Sequence, residues 1–120
     1  MKGLLINPLA KEIIEVESDG SLEDMYRQLE CNMVETIELD NGDTAWVDES
    51  GWIEYKDRGG VCYPSVTRGH FFELAGPVLI LGTNLATGEP KNCKMTLKEA
   101  QEAFKFIPEQ RLNELIHYYA

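Results

Sequence analysis

The dipeptide Asn41-Gly42, flanked by the runs Met33 to Leu39 and Asp43 to Asp48, restricts this chain more than any other feature. Asn-Gly readily supplies the two positive φ angles of a tight type I′ turn, so the two runs are expected to fold back on each other as a β-hairpin. A two-residue loop would set Ile37 opposite Trp46 and Leu39 opposite Thr44. These pairs would form the core-facing side, because residues paired across strands point the same way. The same register would set Asp40 opposite Asp43 and Glu35 opposite Asp48, like-charge pairs that weaken a ladder. Either something other than stability favours those pairs, or the loop is longer than two residues.

The rest of the chain is punctuated in the same way. Leu4 to Ile6 and Ile13 to Glu17 read as two strands separated by the turn signal Asn7-Pro8, an N-terminal hairpin. After Asp19-Gly20, Ser21 stands three residues before Asp24, and Leu22, Met25, Tyr26 and Leu29 follow at helical spacing, so one helix with a buried face is expected. Ser50-Gly51 turns the chain into Trp52 to Tyr55, a third strand of a central meander. Lys56 to Pro64 reads as a loop and Ser65 to Leu74 is ambiguous. Val78 to Leu81 is a continuous apolar run of the kind found in a buried central strand, closed by Gly82. Thr83 to Lys94 reads as a loop or a short edge strand.

At the C-terminal end Thr96 and Glu99 form a capping box, with the stripe Leu97, Ala100, Ala103 and Phe104 carrying a helix to about Ile107. Pro108 suits the first position of a second helix, with Leu112, Leu115, Ile116 and Tyr119 at helical spacing. No linker divides the 120 residues, a length suited to one core. The expectation is a single α+β domain over residues 1–120, a mainly antiparallel sheet with one helix after the second strand and a C-terminal helix pair.

The composition excludes several classes. Hydrophobic residues at 43% and charged residues at 27% are an ordinary globular balance. The N-terminal apolar run is too short for a signal-peptide core, and Pro77 to Leu81 falls far short of the roughly 20 residues of a membrane span. Cys31, Cys62 and Cys93 are odd in number and none lies in a Cys-x-x-Cys, which suits reduced thiols and a cytoplasmic location. These cysteines and the two histidines, His70 and His117, are scattered singly, so no zinc site and no cofactor is expected. Cys62, near Arg58, Arg68 and His70 in sequence, is the nearest approach to an activated nucleophile, and a small apolar residue at a loop edge explains it more simply. The chain therefore reads as a binding protein rather than an enzyme.

Charge is the unusual quantity. The net charge is −10, and between Glu12 and Asp57 fifteen acidic residues face only two basic ones, a local net of −13. Such a field repels nucleic acid and anionic membrane and attracts basic surfaces. Glu35, Glu38, Asp40, Asp43, Asp48 and Glu49 lie on or beside the expected meander, and are taken as the partner-binding residues. Alternate side chains on a strand are about 7 Å apart, on the order of the distance between successive phosphates of a DNA strand, so a row of acids there is able to imitate a nucleic-acid backbone. A second reading places a nucleotide-type ligand against Arg58, Tyr63, Arg68 and His70, whose cationic and aromatic groups suit an anionic aromatic molecule.

Several short motifs also carry a family likeness: Lys2-Gly3-Leu4-Leu5-Ile6-Asn7-Pro8 with Ile13-Ile14-Glu15-Val16, the helix with Leu22, Val47-Asp48-Glu49-Ser50-Gly51, and Val78-Leu79-Ile80-Leu81-Gly82-Thr83-Asn84. Over about residues 2 to 88 the chain resembles a family of small proteins of unknown function encoded by phages, plasmids and conjugative elements. That family typically places an Asn-Arg-rich segment where this chain has Tyr63-Pro64-Ser65-Val66-Thr67-Arg68-Gly69-His70. The resemblance implies a mobile-element origin and assigns no site residue. Genes in that setting often act against host defences, so the expected partner is the basic surface of a host nucleic-acid-binding protein, of a defence or regulatory kind.

Overall fold

Val78–Thr83, strand β7, has four consecutive buried side chains, Val78 to Leu81, followed by the buried Gly82. A strand needs such a run when both of its faces are covered, and the computed structural model, which describes residues 1–55, 58–65 and 70–107, shows both covers. Val78 and Ile80 face a cluster with Leu4, Ile6, Ala45 and Val47. Leu79 and Leu81 face Met25 and Leu29 on the opposite side.

Around β7 stand β1 (Lys2–Asn7), β2 (Glu12–Glu17), β3 (Val34–Glu38) and β4 (Thr44–Asp48), in the order β2-β1-β7-β4-β3, with the short β8 (Pro90–Lys91) beside the end of β7. Every strand pairing among the described residues is antiparallel. The β1–β2 turn is closed by Asn7, whose Oδ1 accepts the backbone N–H of Leu9 and Ala10. Helix α1 (Leu22–Leu29) lies over one face. Its first turn is held by the Ser21 hydroxyl, which accepts the N–H of Asp24 at 3.1 Å. Met25 and Leu29 point into the sheet while Leu22 is half exposed, so the expected stripe is narrower than its spacing suggested.

The second layer is a three-stranded sheet, β6-β5-β9, built from β5 (Gly60–Ser65), β6 (His70–Ala75) and β9 (Lys105–Ile107). Helix α3 (Leu97–Ala103) carries the full capping box of Thr96 and Glu99 and packs against β2. The architecture is an α+β fold with a mainly antiparallel sheet.

Three expectations are corrected. Trp52 to Tyr55 is not a third meander strand but part of helix α2 (Gly51–Tyr55), opened by bonds from the N–H of Ile53 and Glu54 to the Ser50 carbonyl. Its spacing of three seats Trp52 and Tyr55 together against Ala75 and Ile107, and Gly51 lies so close to the Ala75 carbonyl that a Cβ would collide with it. The stretch to Pro64, expected as a loop, is mostly β5. Helix α3 ends at Ala103 rather than near Ile107, because Phe104 turns to extended backbone (φ −96°, ψ 133°) and is buried in the main cluster. From there the chain pairs with β5. The helix expected from Pro108 onward lies outside the described residues, and among the described residues no helix is long and apolar enough to cross a membrane.

Candidate protein-interaction edge

The β3–β4 hairpin forms, but with a three-residue loop. The N–H of Gly42 donates to the Leu39 carbonyl at 3.1 Å and the N–H of Leu39 to the Asp43 carbonyl at 2.9 Å, with Gly42 at φ +90°. This is a type I turn followed by a one-residue bulge whose positive φ suits glycine. The register follows: Ile37 pairs with Ala45, Thr36 with Trp46, Glu38 with Thr44, Glu35 with Val47 and Val34 with Asp48. Shifting the pairing by one residue removes every opposed acid pair the two-residue loop implied. Glu35 and Glu38, three apart on the strand, point to opposite faces in either register. They therefore do not form the same-face row that would copy phosphate spacing.

The six expected partner-binding residues separate into two groups. Glu35, Glu38, Asp40 and Glu49 are exposed. Asp43 and Asp48 are buried, at 0% and 5% exposure.

Asp43 serves as an internal acceptor. Its carboxylate takes the N–H of Lys94 at 2.9 and 3.1 Å, the N–H of Met95 at 2.9 Å and the side-chain amide of Asn41 at 2.9 Å. Asn41 Oδ1 in turn accepts the N–H of Asp43 at 2.9 Å, and Lys94 Nζ reaches the Asn41 carbonyl at 3.4 Å. The loop is thereby fastened to the segment that leads into α3.

Asp48 closes the other end of β4. One carboxylate oxygen accepts the N–H of Ser50 at 2.9 Å, while the buried Oδ2 has no N–H or O–H donor. Two residues earlier on the same face, the indole N–H of Trp46 is likewise buried without an acceptor. The Glu54 carboxyl faces Asp48, and the hydrogen bond between the two, reinforced by the Asp48 charge and by burial against a smaller opposing pull from Arg58, pushes Glu54 above its ordinary value. A carboxyl donates such a bond only when protonated, so acid favours the contact.

Strand β3 is one border of the five-strand path, and among the described residues no strand pairs with its outer side. The bonds Leu39 N–H to Asp43 O and Glu49 N–H to Met33 O fix the parity. Met33, Glu35, Ile37 and Leu39 turn their backbone groups toward β4, so Val34, Thr36 and Glu38 turn theirs outward. Neither β3 nor β4 contains a basic residue. The sequence pointed to the acids here but missed the backbone that carries them. A strand reading Val-Glu-Thr-Ile-Glu, with charges inside it, is itself the mark of a sheet border.

Of the residues of the nucleotide reading, Tyr63 and His70 lie on strands of the second layer and Arg58 just before it. Arg58 is exposed and its guanidinium lies 5.1 Å from the centre of the Tyr55 ring. Tyr63 is a β5 position paired with Phe72, and His70 a β6 position paired with Ser65. Arg68 lies outside the described residues. Cys31 and Cys93 are free thiols, and burial, aided by the charges of Asp48 and Asp43 respectively, pushes both upward, the direction opposite to nucleophile activation. Among the described residues no group of three or more His, Cys, Asp or Glu could hold a metal ion.

No curated protein and no solved structure matches the chain. Residues 1–105, a longer span than the short motifs cover, match a domain of unknown function, DUF3846, and the chain belongs to that family.

Proposed function

We propose that this is a non-catalytic binding protein whose acidic edge engages a basic surface on another protein. The partner class that fits is a nucleic-acid-binding protein of the host, of a defence or regulatory kind, met by a protein of mobile-element origin. The observation that most supports the reading is the local net charge of −13 between Glu12 and Asp57, with Glu35, Glu38 and Glu49 exposed beside a sheet border that carries no basic side chain. A field of that sign repels nucleic acid and steers a cationic surface toward itself. The buried acids Asp43 and Asp48 belong to the scaffold of that edge rather than to its contact surface.

The test is capture of partners from host lysate on the immobilised protein at low and high salt, repeated with the triple variant Glu35→Lys, Glu38→Lys, Glu49→Lys. A Debye length of about 10 Å at 0.1 M salt predicts a partner retained at low salt and released at high salt. That partner is lost with the triple variant and is displaced by duplex DNA. A partner indifferent to salt and to charge reversal overturns the reading. So does a protein that retains no partner and instead co-purifies with a nucleotide, which would move the function to Arg58, Tyr63, Arg68 and His70.

A further inference from the structure

Val34, Thr36 and Glu38 each turn one N–H and one C=O away from β4, and among the described residues no strand takes them up. An open border of this kind is a template for a further strand, and natural sheets usually cover or blunt it. Here the blunting is electrostatic and of one sign. The side chains of Glu35 and Glu38 are exposed on opposite faces of β3, and Asp40 and Glu49 are exposed at its two ends.

We infer that β3 binds an extended basic segment of a partner protein by strand addition, with cationic side chains three residues apart. The spacing comes from the strand itself. Residues three apart on an added strand point to opposite faces, as Glu35 and Glu38 do, so one cation meets each acid. The half-buried Val34 and Ile37, one on each face, offer apolar ground for the residues between.

Two other occupants fit less well. A second copy of this chain would bring its own Glu35 and Glu38 to a border already acidic, on a molecule of net charge −10. The opposite border, β2, is also acidic, but it is followed across the fold by α3, is preceded by Lys11, and has Glu17 3.5 Å from the N-terminal ammonium. Along β3 itself a basic strand meets acidic side chains and no basic one.

The inference rests on the basic-partner reading above and adds the mode and the motif. It is tested with three synthetic peptides on the intact protein, at low salt, by calorimetry and amide exchange. The first is a short Val/Thr peptide with lysines three apart. The second is the same peptide N-methylated at the residues that would pair with β3, which keeps the charge and removes the backbone donors. The third carries glutamine in place of lysine. Strand addition predicts that the first binds, with new protection of the Val34, Thr36 and Glu38 amides. It predicts about tenfold or greater weakening for the second, since each lost hydrogen bond is worth on the order of 1 kcal/mol and 1.4 kcal/mol is tenfold. The third should not bind measurably. Equal binding of the first two peptides overturns strand addition while leaving the basic-partner reading intact. The same holds if no peptide binds but lysate capture still yields a salt-sensitive partner. Absence of both overturns the two together.

Discussion

Asp43 has no exposed surface, and its carboxylate accepts the backbone N–H of Met95 at 2.9 Å, across fifty-two residues of chain. The Lys94 N–H is shared between both carboxylate oxygens, so the two backbone donors that lead into α3 are satisfied by one side chain. Hydrogen bonds to a charged group contribute about 1.5 to 3 kcal/mol each, and a buried donor left unpaired costs a similar amount. Asp43→Ala is therefore expected to lower unfolding stability by about 3 kcal/mol or more in urea denaturation. Glu38→Ala, at an exposed position, should stay within about 0.5 kcal/mol of the parent. Similar losses for the two would mean that Asp43 does not fasten the loop to α3.

The Asp48–Glu54 pair predicts an unusual pH dependence. A carboxyl whose folded value is raised above the ordinary 4.5 binds its proton more tightly folded than unfolded. Its contribution is thus full below that value and is lost as the pH rises through the raised one. Glu54→Gln removes the titrating carboxyl and leaves an amide donor beside Asp48 at every pH. The variant should flatten the decline of melting temperature that the parent shows as the pH climbs past 4.5. An identical profile in both would mean that Glu54 does not carry this pH dependence.

Asp24 predicts the opposite slope. Burial disfavours its charge, but hydrogen bonds from Ser18, Gln28 and Arg27 together outweigh burial and hold it below the ordinary 3.8. The carboxylate also sits in the first turn of α1, where negative charge is favoured. Stability from this group is present above 3.8 and lost as the pH falls through its lowered value. Asp24→Asn should cost about 1 kcal/mol at pH 7, and the difference should vanish in acid. A cost independent of pH would assign the loss to packing.

Legibility in the sequence followed the local signals. The capping box of Thr96 and Glu99, the cap of Ser21 and the apolar run of β7 all rest on residues a few positions apart, and each stands where its pattern placed it. The elements that failed are those decided at long range. Phe104 leaves the helix because it belongs to the main cluster, and Trp52 with Tyr55 is helical because both meet β6 and β9. The acidic edge was legible as composition, while the burial of Asp43 and Asp48 was not. Nothing within the hairpin announces that Lys94 and Met95 will reach back to it.

Asn41-Gly42 marks the hairpin, and of the two loop lengths that its flanks allow the structure has the longer, which amide exchange distinguishes at single-residue resolution. In the three-residue form, Glu35, Ile37 and Leu39 direct their N–H groups to β4, and Val34, Thr36 and Glu38 direct theirs to solvent. A two-residue loop pairs Asp40 with Asp43 and reverses the parity. Slow exchange at Glu35 and Ile37 with fast exchange at Val34, Thr36 and Glu38 is therefore expected in the free protein. The reverse alternation would restore the opposed acid pairs, turn the outward backbone groups to Glu35 and Ile37, and move the basic segment's contacts by one residue along the strand.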